Sequence, residues 1–251
     1  MRKSSKSLTK EGEKQYLGTL TEILGKEVPI AQPKSLIEFP SAPNDNPAAR
    51  IARNMEIYHT NPWAMVEDGL IWTLDGTDLL NPVKQFPDQP WLKEITMRWM
   101  EERFIAVVKS RRMLISWLFC FLHTWLMMFR EGASIYFVSQ KEEKSDELVK
   151  RCTFIYDHIP ESEMLKPASK ATYCKLAIPG LSSFIMGIPE GARQLAQYTG
   201  TALFFDEFAH WDYARETFMA AKPTTEGGGK ITLVSSPREG FYKELCFDMI
   251  R

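Results

Sequence analysis

Four short runs of β-branched and aromatic residues constrain this chain most: FIAVV (104–108), ASIYFVS (133–139), TALFF (201–205) and ITLVS (231–235). Each is separated from the next by a stretch with helical character. Strands alternating with helices predict an α/β fold with a mainly parallel sheet covered by helices. FIAVV, apolar throughout, reads as a strand buried on both faces. Helices are expected over Trp117 to Arg130, closed by Gly132, over QKEEKSDELVKRCTFIYDHI, and over EFAHWDYARETFMAAK. Two weaker strands are expected around CKLAI and SFIMG. No internal repeat interrupts this pattern.

Upstream of that core the character changes. Residues 1–50 read as a weakly ordered N-terminal extension, rich first in Lys and Ser and then in Pro, with TLTEILGKE as a short amphipathic helix. Residues 51–251 read as one domain. Within it, NPWAMVEDGLIWTLD is a compact cap packed through Trp63 and Trp72. FPDQPWLKEITMRWMEE is a helix beginning near Asp88, with Leu92, Ile95, Met97 and Trp99 as its apolar face. The early lysines, Lys3, Lys6, Lys10 and Lys14, read as a solvated tail.

Composition narrows the function classes. With 251 residues, 44% hydrophobic and 25% charged, the chain is ordinary globular protein and not disordered or collagen-like. Its net charge of −1 makes it no polycation, so a grip on nucleic acid needs a local basic surface. Cys120, Cys152, Cys174 and Cys246 form no CxxC pair. His59, His123, His158 and His210 do not pair at metal-ligand spacing, which argues against a zinc ribbon or a disulfide scaffold. MRKSSKSLTKEGEK lacks the apolar segment of a signal peptide. The longest apolar run, Trp117 to Phe129, is too short to span a membrane, so an intracellular soluble protein is expected.

Three strand exits carry the chemistry. AVVKSRRMLIS joins a strand to a helix, where free backbone N–H groups and the helix dipole attract phosphate. The usual loop there is GxxxxGK[ST], and this one has no glycine. With Ser116 at the hydroxyl position, Ile115 stands where the lysine is usual and Leu114 where the second glycine is usual. Cations stand earlier instead, at Lys109, Arg111 and Arg112, beside Ser110. Lys109 can reach a terminal phosphate from the front of the loop, and Ser116 can hold Mg²⁺. Taken alone, a basic turn between strand and helix is ordinary surface structure.

TALFFDEFAH then places Asp206 and Glu207 beyond the carboxyl end of a buried strand, where ligands of open α/β sheets bind. Asp206 suits the Mg²⁺ shell, and Glu207 suits orienting or deprotonating the attacking water. Alone, the pair equally suits two solvated acids capping a helix. In ITLVSSP, Ser235 and Ser236 stand at a third exit, where hydroxyls can bond the acids or the γ-phosphate. His210, beside Trp211, reads as helix surface or core and not as a base.

The order KSRRMLIS, LFFDE, LVSSP resembles the ATPase domain of large terminase subunits, the DNA-packaging motors of tailed bacteriophages and herpesviruses. Several members carry a deviant phosphate loop with its lysine at the front, which Lys109 matches. Most retain a glycine where Leu114 stands. IYFVSQKEEKSDELVKR and GARQLAQYTGTALFFDE are similar to further family segments, as is TLDGTDLLNPVKQFPDQPWL on the adenine side. The resemblance runs from about Asn61 to Gly240. It implies an ASCE/RecA-like P-loop NTPase, a three-layer sandwich with a mainly parallel central sheet. It also implies Arg193 as an arginine finger and Gln89, or secondarily Gln85, as the reader of the adenine base.

The function so implied is Mg²⁺-dependent ATP hydrolysis driving double-stranded DNA into a procapsid, in the cytoplasm of an infected host cell. The partners implied are a portal protein, a small terminase subunit and further copies in a ring, commonly a pentamer. Near-zero net charge suits a motor that must slide along DNA. Large terminases generally carry a nuclease domain after the ATPase. The thirteen residues EGFYKELCFDMIR that follow SSPR are too short for one, so no nuclease activity is expected of this chain. A helicase-like ATPase and a nucleotide-binding assembly module without turnover are the alternatives.

Overall fold

The computed structural model describes residues 47–160 and 165–248. The TLTEILGKE helix and nearly all of the expected extension lie outside the described residues. Helix α1 (Pro47–Thr60) begins inside the expected extension and runs through its boundary at residue 50. There follow α2 (Trp63–Glu67), β1 (Trp72–Leu74), β2 (Val83–Gln85) and α3 (Pro90–Glu101). The alternating core comprises β3 (Phe104–Val108), α4 (Ile115–Phe129), β4 (Ser134–Ser139) and α5 (Glu142–His158). It continues with β5 (Lys170–Thr172), β6 (Lys175–Ile178), β7 (Ser183–Pro189), α6 (Ala192–Leu195) and β8 (Ala202–Asp206). Last come α7 (Ala214–Glu226), β9 (Lys230–Ser235) and α8 (Phe241–Lys243).

The chain divides into two compact units, of which the smaller includes residues 74–84. In it Asp75 N–H donates to the Pro82 carbonyl at 2.7 Å, and Lys84 is ion-paired to Asp75 at 2.8 Å and Asp78 at 3.2 Å.

In the larger unit, seven strands form one sheet in the order β3-β9-β8-β4-β7-β6-β5. The first five run parallel, and β6 and β5 continue antiparallel at the far edge. This is the α/β architecture that the alternation predicts. Period-2 alternation sends successive side chains to opposite faces. Ile135, Phe137, Ala202 and Phe204 therefore join a core with α1 to α5, while Tyr136, Val138, Leu203 and Phe205 join a second core with α6 to α8. Two cores on opposite faces of one sheet make three layers.

Some expectations are corrected. β3 is an edge strand with one neighbour, so FIAVV is half exposed and not buried on both faces. A short apolar run does not reveal whether a second strand lies beside it. On α3, Leu92, Thr96 and Trp99 are buried, whereas Met97 is 41% exposed. The 3.6-residue period selects 92, 96 and 99, and Met97 falls on the outer face. The helix expected after the acidic pair is a 3₁₀ turn (Phe208–His210) followed by α7, and β5 went unread because its three residues are exposed. Trp63 and Trp72 are buried as expected of the cap.

One contact fixes how closely α5 lies on the sheet. A Cβ on Gly187 of β7 would stand 2.9 Å from Ser145 Cβ and 3.0 Å from the Ser145 carbonyl carbon. Ser145 Oγ there donates to the Ile188 carbonyl at 2.6 Å. Gly187→Ala is expected to lower stability by about 1–3 kcal/mol, because backbone and not a flexible side chain must give way. Chemical denaturation of the two proteins measures it.

Candidate nucleotide site at the strand exits

The site forms because β9 lies between β3 and β8. Its carboxyl end, Ser235 and Ser236, is thereby brought between the basic loop and the acidic pair. Lys109 N–H donates to the Ser235 carbonyl at 2.9 Å, continuing the β3–β9 pairing one residue past the strand. The loop then turns through two left-handed residues, Arg112 (φ 64°) and Leu114 (φ 56°). That conformation costs a residue other than glycine about 1–2 kcal/mol. Leu114 takes this left-handed backbone and also packs against the core with α4.

The first turn of α4 follows, with its free N–H groups at the loop. Its Ser116 Oγ donates to Asp206 Oδ1 at 2.8 Å. Lys109 Nζ donates to Glu207 Oε1 at 2.7 Å, the lysine side chain being 10% exposed and the glutamate 44%. Glu207 is itself left-handed (φ 51°), a strained backbone for a residue other than glycine. Ser236 N–H and Oγ approach Glu207 Oε2 at 3.4 and 3.3 Å. Ser235 Oγ instead accepts from Ala209 N–H at 3.0 Å, so only the second serine meets the acids.

The remaining candidates lie outside this network. Ser110, Arg111 and Arg112 are exposed on the loop, and Arg193 is exposed on α6 just beyond the exit of β7. Gln89 caps α3, its carbonyl accepting from Leu92 and Lys93 N–H while its side chain is exposed. Gln85 Nε2 donates to the Gly69 carbonyl at 3.4 Å.

Two residues at the site escaped the sequence reading, Arg151 and Glu190. Arg151, on α5, is close enough to Asp206 to favour its charged form, and its guanidinium lies 5.6 Å from the Trp117 ring centroid. Glu190, at the exit of β7, accepts from the N–H groups of Asp212 and Tyr213 at 3.2 and 2.9 Å, tying down the segment after the acids. Its position at a strand exit was the available signal. His210, partly exposed on the 3₁₀ turn, is hydrogen-bonded to Ser236.

The two acids are driven apart electrostatically. Burial pushes the Asp206 carboxyl above its ordinary value, and the Ser116 hydrogen bond and the charges of Arg151 and Lys109 offset this only in part. Partial burial also pushes Glu207 up, but the hydrogen bond and charge of Lys109, with Ser236, outweigh it and hold that carboxyl below its usual value. A carboxyl raised on folding binds its proton more tightly in the folded state. Stability therefore falls as pH rises past the unfolded value through the folded one. Asp206→Asn is expected to raise the thermal midpoint at neutral pH, with the gain fading as pH falls into the carboxylate range. Thermal scans across pH check this.

Asp206 and Ser116 offer the hard oxygen donors that Mg²⁺ takes, and a half-buried carboxylate with only partial compensation suits a cation. Among the described residues, no group of three or more His, Cys, Asp or Glu side chains is arranged to hold a metal ion. One carboxylate and one hydroxyl leave most coordination positions to phosphate and water, the usual Mg²⁺ arrangement in phosphoryl transfer.

No protein-family model matches the chain, and no curated protein matches it. Solved structures do. Three of them are phage large terminase structures. The ATPase domain of the Thermus phage P74-26 large terminase is 12% identical, over 59% of this chain and 66% of that one, with a TM-score of 0.45. An arginine-to-alanine variant of that domain is 11% identical over 63% and 69%, with a TM-score of 0.48. The HK97 bacteriophage large terminase is 11% identical over 61% of this chain, with a TM-score of 0.49. The chain covers 34% of the HK97 protein. Among the described residues, no helix is long and apolar enough to cross a membrane.

Proposed function

We propose that this chain is the ATPase motor of a viral large terminase, hydrolysing ATP with Mg²⁺ to move double-stranded DNA into a procapsid. The observation that carries the reading is the meeting of three strand exits: Lys109 on Glu207, Ser116 on Asp206, and Ser236 on Glu207. A front-of-loop lysine, a hydroxyl–carboxylate pair and a second, ionised carboxylate are the parts phosphoryl transfer to water requires.

In this reading the triphosphate lies against the loop and the first turn of α4. Lys109 neutralises the terminal phosphate, with Ser110, Arg111 and Arg112 around the chain of phosphates. Ser116 and Asp206 hold Mg²⁺, which when bound supplies charge neutralisation across the phosphate oxygens. Glu207 accepts a proton from the attacking water as its oxygen bonds to the γ-phosphorus and the bond to ADP breaks. Arg193 acts as the arginine finger and Gln89 reads the base. Ser235 and Ser236 couple phosphate release to motion, Ser236 by its bond to Glu207. Double-stranded DNA, a portal protein, a small terminase subunit and a pentameric ring of this chain complete the machine, in the host cytoplasm.

The test is phosphate release by the purified chain, with Mg²⁺ and with chelator, with and without duplex DNA. Mg²⁺-dependent release is the expected result. ATP binding with background release in every condition would favour the assembly module, and duplex unwinding would favour a helicase.

A further inference from the structure

A hydrogen-bonded chain leads away from the Glu207 carboxylate, and two of its members, His210 and Arg238, take no part in the steps above. Arg238 Nη1 lies 3.3 Å from His210 Nδ1, and His210 Nε2 lies 2.9 Å from Ser236 Oγ. Ser236 Oγ in turn lies 3.3 Å from Glu207 Oε2. Its direction is dictated from both ends. A guanidinium has only N–H donors, so His210 Nδ1 accepts and the ring carries its proton on Nε2. An ionised carboxylate only accepts, so Ser236 spends its hydroxyl hydrogen on Glu207 and receives the Nε2–H of His210. Every hydrogen in the chain then has one destination.

Local geometry explains why position 210 is used. Glu207 precedes the Phe208–His210 3₁₀ turn, and three residues per turn bring residue i+3 back over residue i. His210 Nε2 still stands 3.9 Å from Glu207 Oε2, beyond hydrogen-bond reach, so Ser236 bridges them. Glu207 is otherwise held on its other oxygen by Lys109. A phosphate bound by Lys109 competes for the same ammonium, and Oε1 is then freed while Oε2 keeps its partners.

We propose that His210 is a positioning residue for Glu207, clamping Oε2 through Ser236 so that the freed Oε1 stays aimed at the attacking water. This rests on the reading of Glu207 as the group that activates water. In the proposed arrangement the phosphates lie on the Lys109 side of Glu207 and His210 on the Ser236 side, so His210 acts on turnover and not on nucleotide affinity. His210→Ala is expected to lower kcat by about 10- to 100-fold, the scale of a misaimed catalytic group, with KM for ATP nearly unchanged. His210→Gln, whose amide N–H replaces the Nε2–H, restores most of the rate. His210→Asn, too short to reach Ser236, does not.

Wild-type kcat in His210→Ala beside a dead Glu207→Gln overturns the proposal and leaves the role of Glu207 standing. Equal losses in the Ala and Gln variants overturn it in favour of a merely structural histidine. Full activity in Glu207→Gln removes the reading of Glu207 and the proposal with it. A measurement independent of turnover is the ¹⁵N spectrum of the labelled imidazole. The neutral Nε2–H tautomer is expected, with shifts that move in both Ser236→Ala and Glu207→Gln. An Nδ1–H tautomer, or shifts indifferent to both substitutions, overturns the chain.

Discussion

Glu207→Gln is expected to stop ATP hydrolysis while leaving ATP bound. The substitution keeps the size of the side chain and an oxygen for Ser236 but removes the basic lone pair that takes the proton from water. Loss of a positioned general base costs about 10²- to 10⁴-fold in rate. Nucleotide affinity is expected to hold or rise, because Lys109 no longer has an anionic competitor at 2.7 Å. Phosphate release measures the first effect and equilibrium binding of a fluorescent ATP analogue the second. Unchanged release would remove Glu207 from the mechanism. Glu207→Ala is expected to lose as much activity, and it additionally loses the oxygen that meets Ser236.

Lys109→Ala is expected to abolish hydrolysis by weakening both binding and turnover, a fall of at least about 100-fold. Of the loop cations, Lys109 alone is both nearly buried and bonded to an acidic residue, whereas Arg111 and Arg112 are exposed. Its loss also leaves Glu207 facing Asp206 without the intervening positive charge, so Mg²⁺ dependence is expected to shift to higher concentration. Lys84→Ala is the control. Lys84 is already held by Asp75 and Asp78, and its removal is expected to leave hydrolysis nearly intact. Equal rates for the two variants would move the phosphate-binding role to another residue.

Much of the site was legible as chemistry before it was legible as geometry. Asp206 and Glu207 follow the run TALFF, whose apolar residues predict a buried strand, so their place at a strand exit was readable locally. The basic loop was readable in the same way, whereas the left-handed backbone of Arg112 and Leu114 was not, since neither is a glycine. His210 was passed over because its partner, Ser236, is 26 residues away and meets it only when β9 seats beside β8. Arg151 was passed over for the same reason, since nothing along α5 says which end of the sheet it overlies.

The sequence by itself determined the alternation of strands and helices, hence a parallel sheet with two apolar faces, and the residue types at its exits. Those properties are written in windows of five to fifteen residues, where side-chain period and backbone preference act directly. Only the tertiary structure decided that β3 sits at an edge, that Lys109 of the loop cations reaches Glu207, and that Ser236 and not Ser235 meets the carboxylate. Strand order is a choice among non-local pairings. Lys109 and Glu207 are 98 residues apart, and no local pattern encodes that β9 comes between their strands. The burial that drives the Asp206 carboxyl up while Lys109 holds that of Glu207 down is likewise a property of the packed site and not of any one segment.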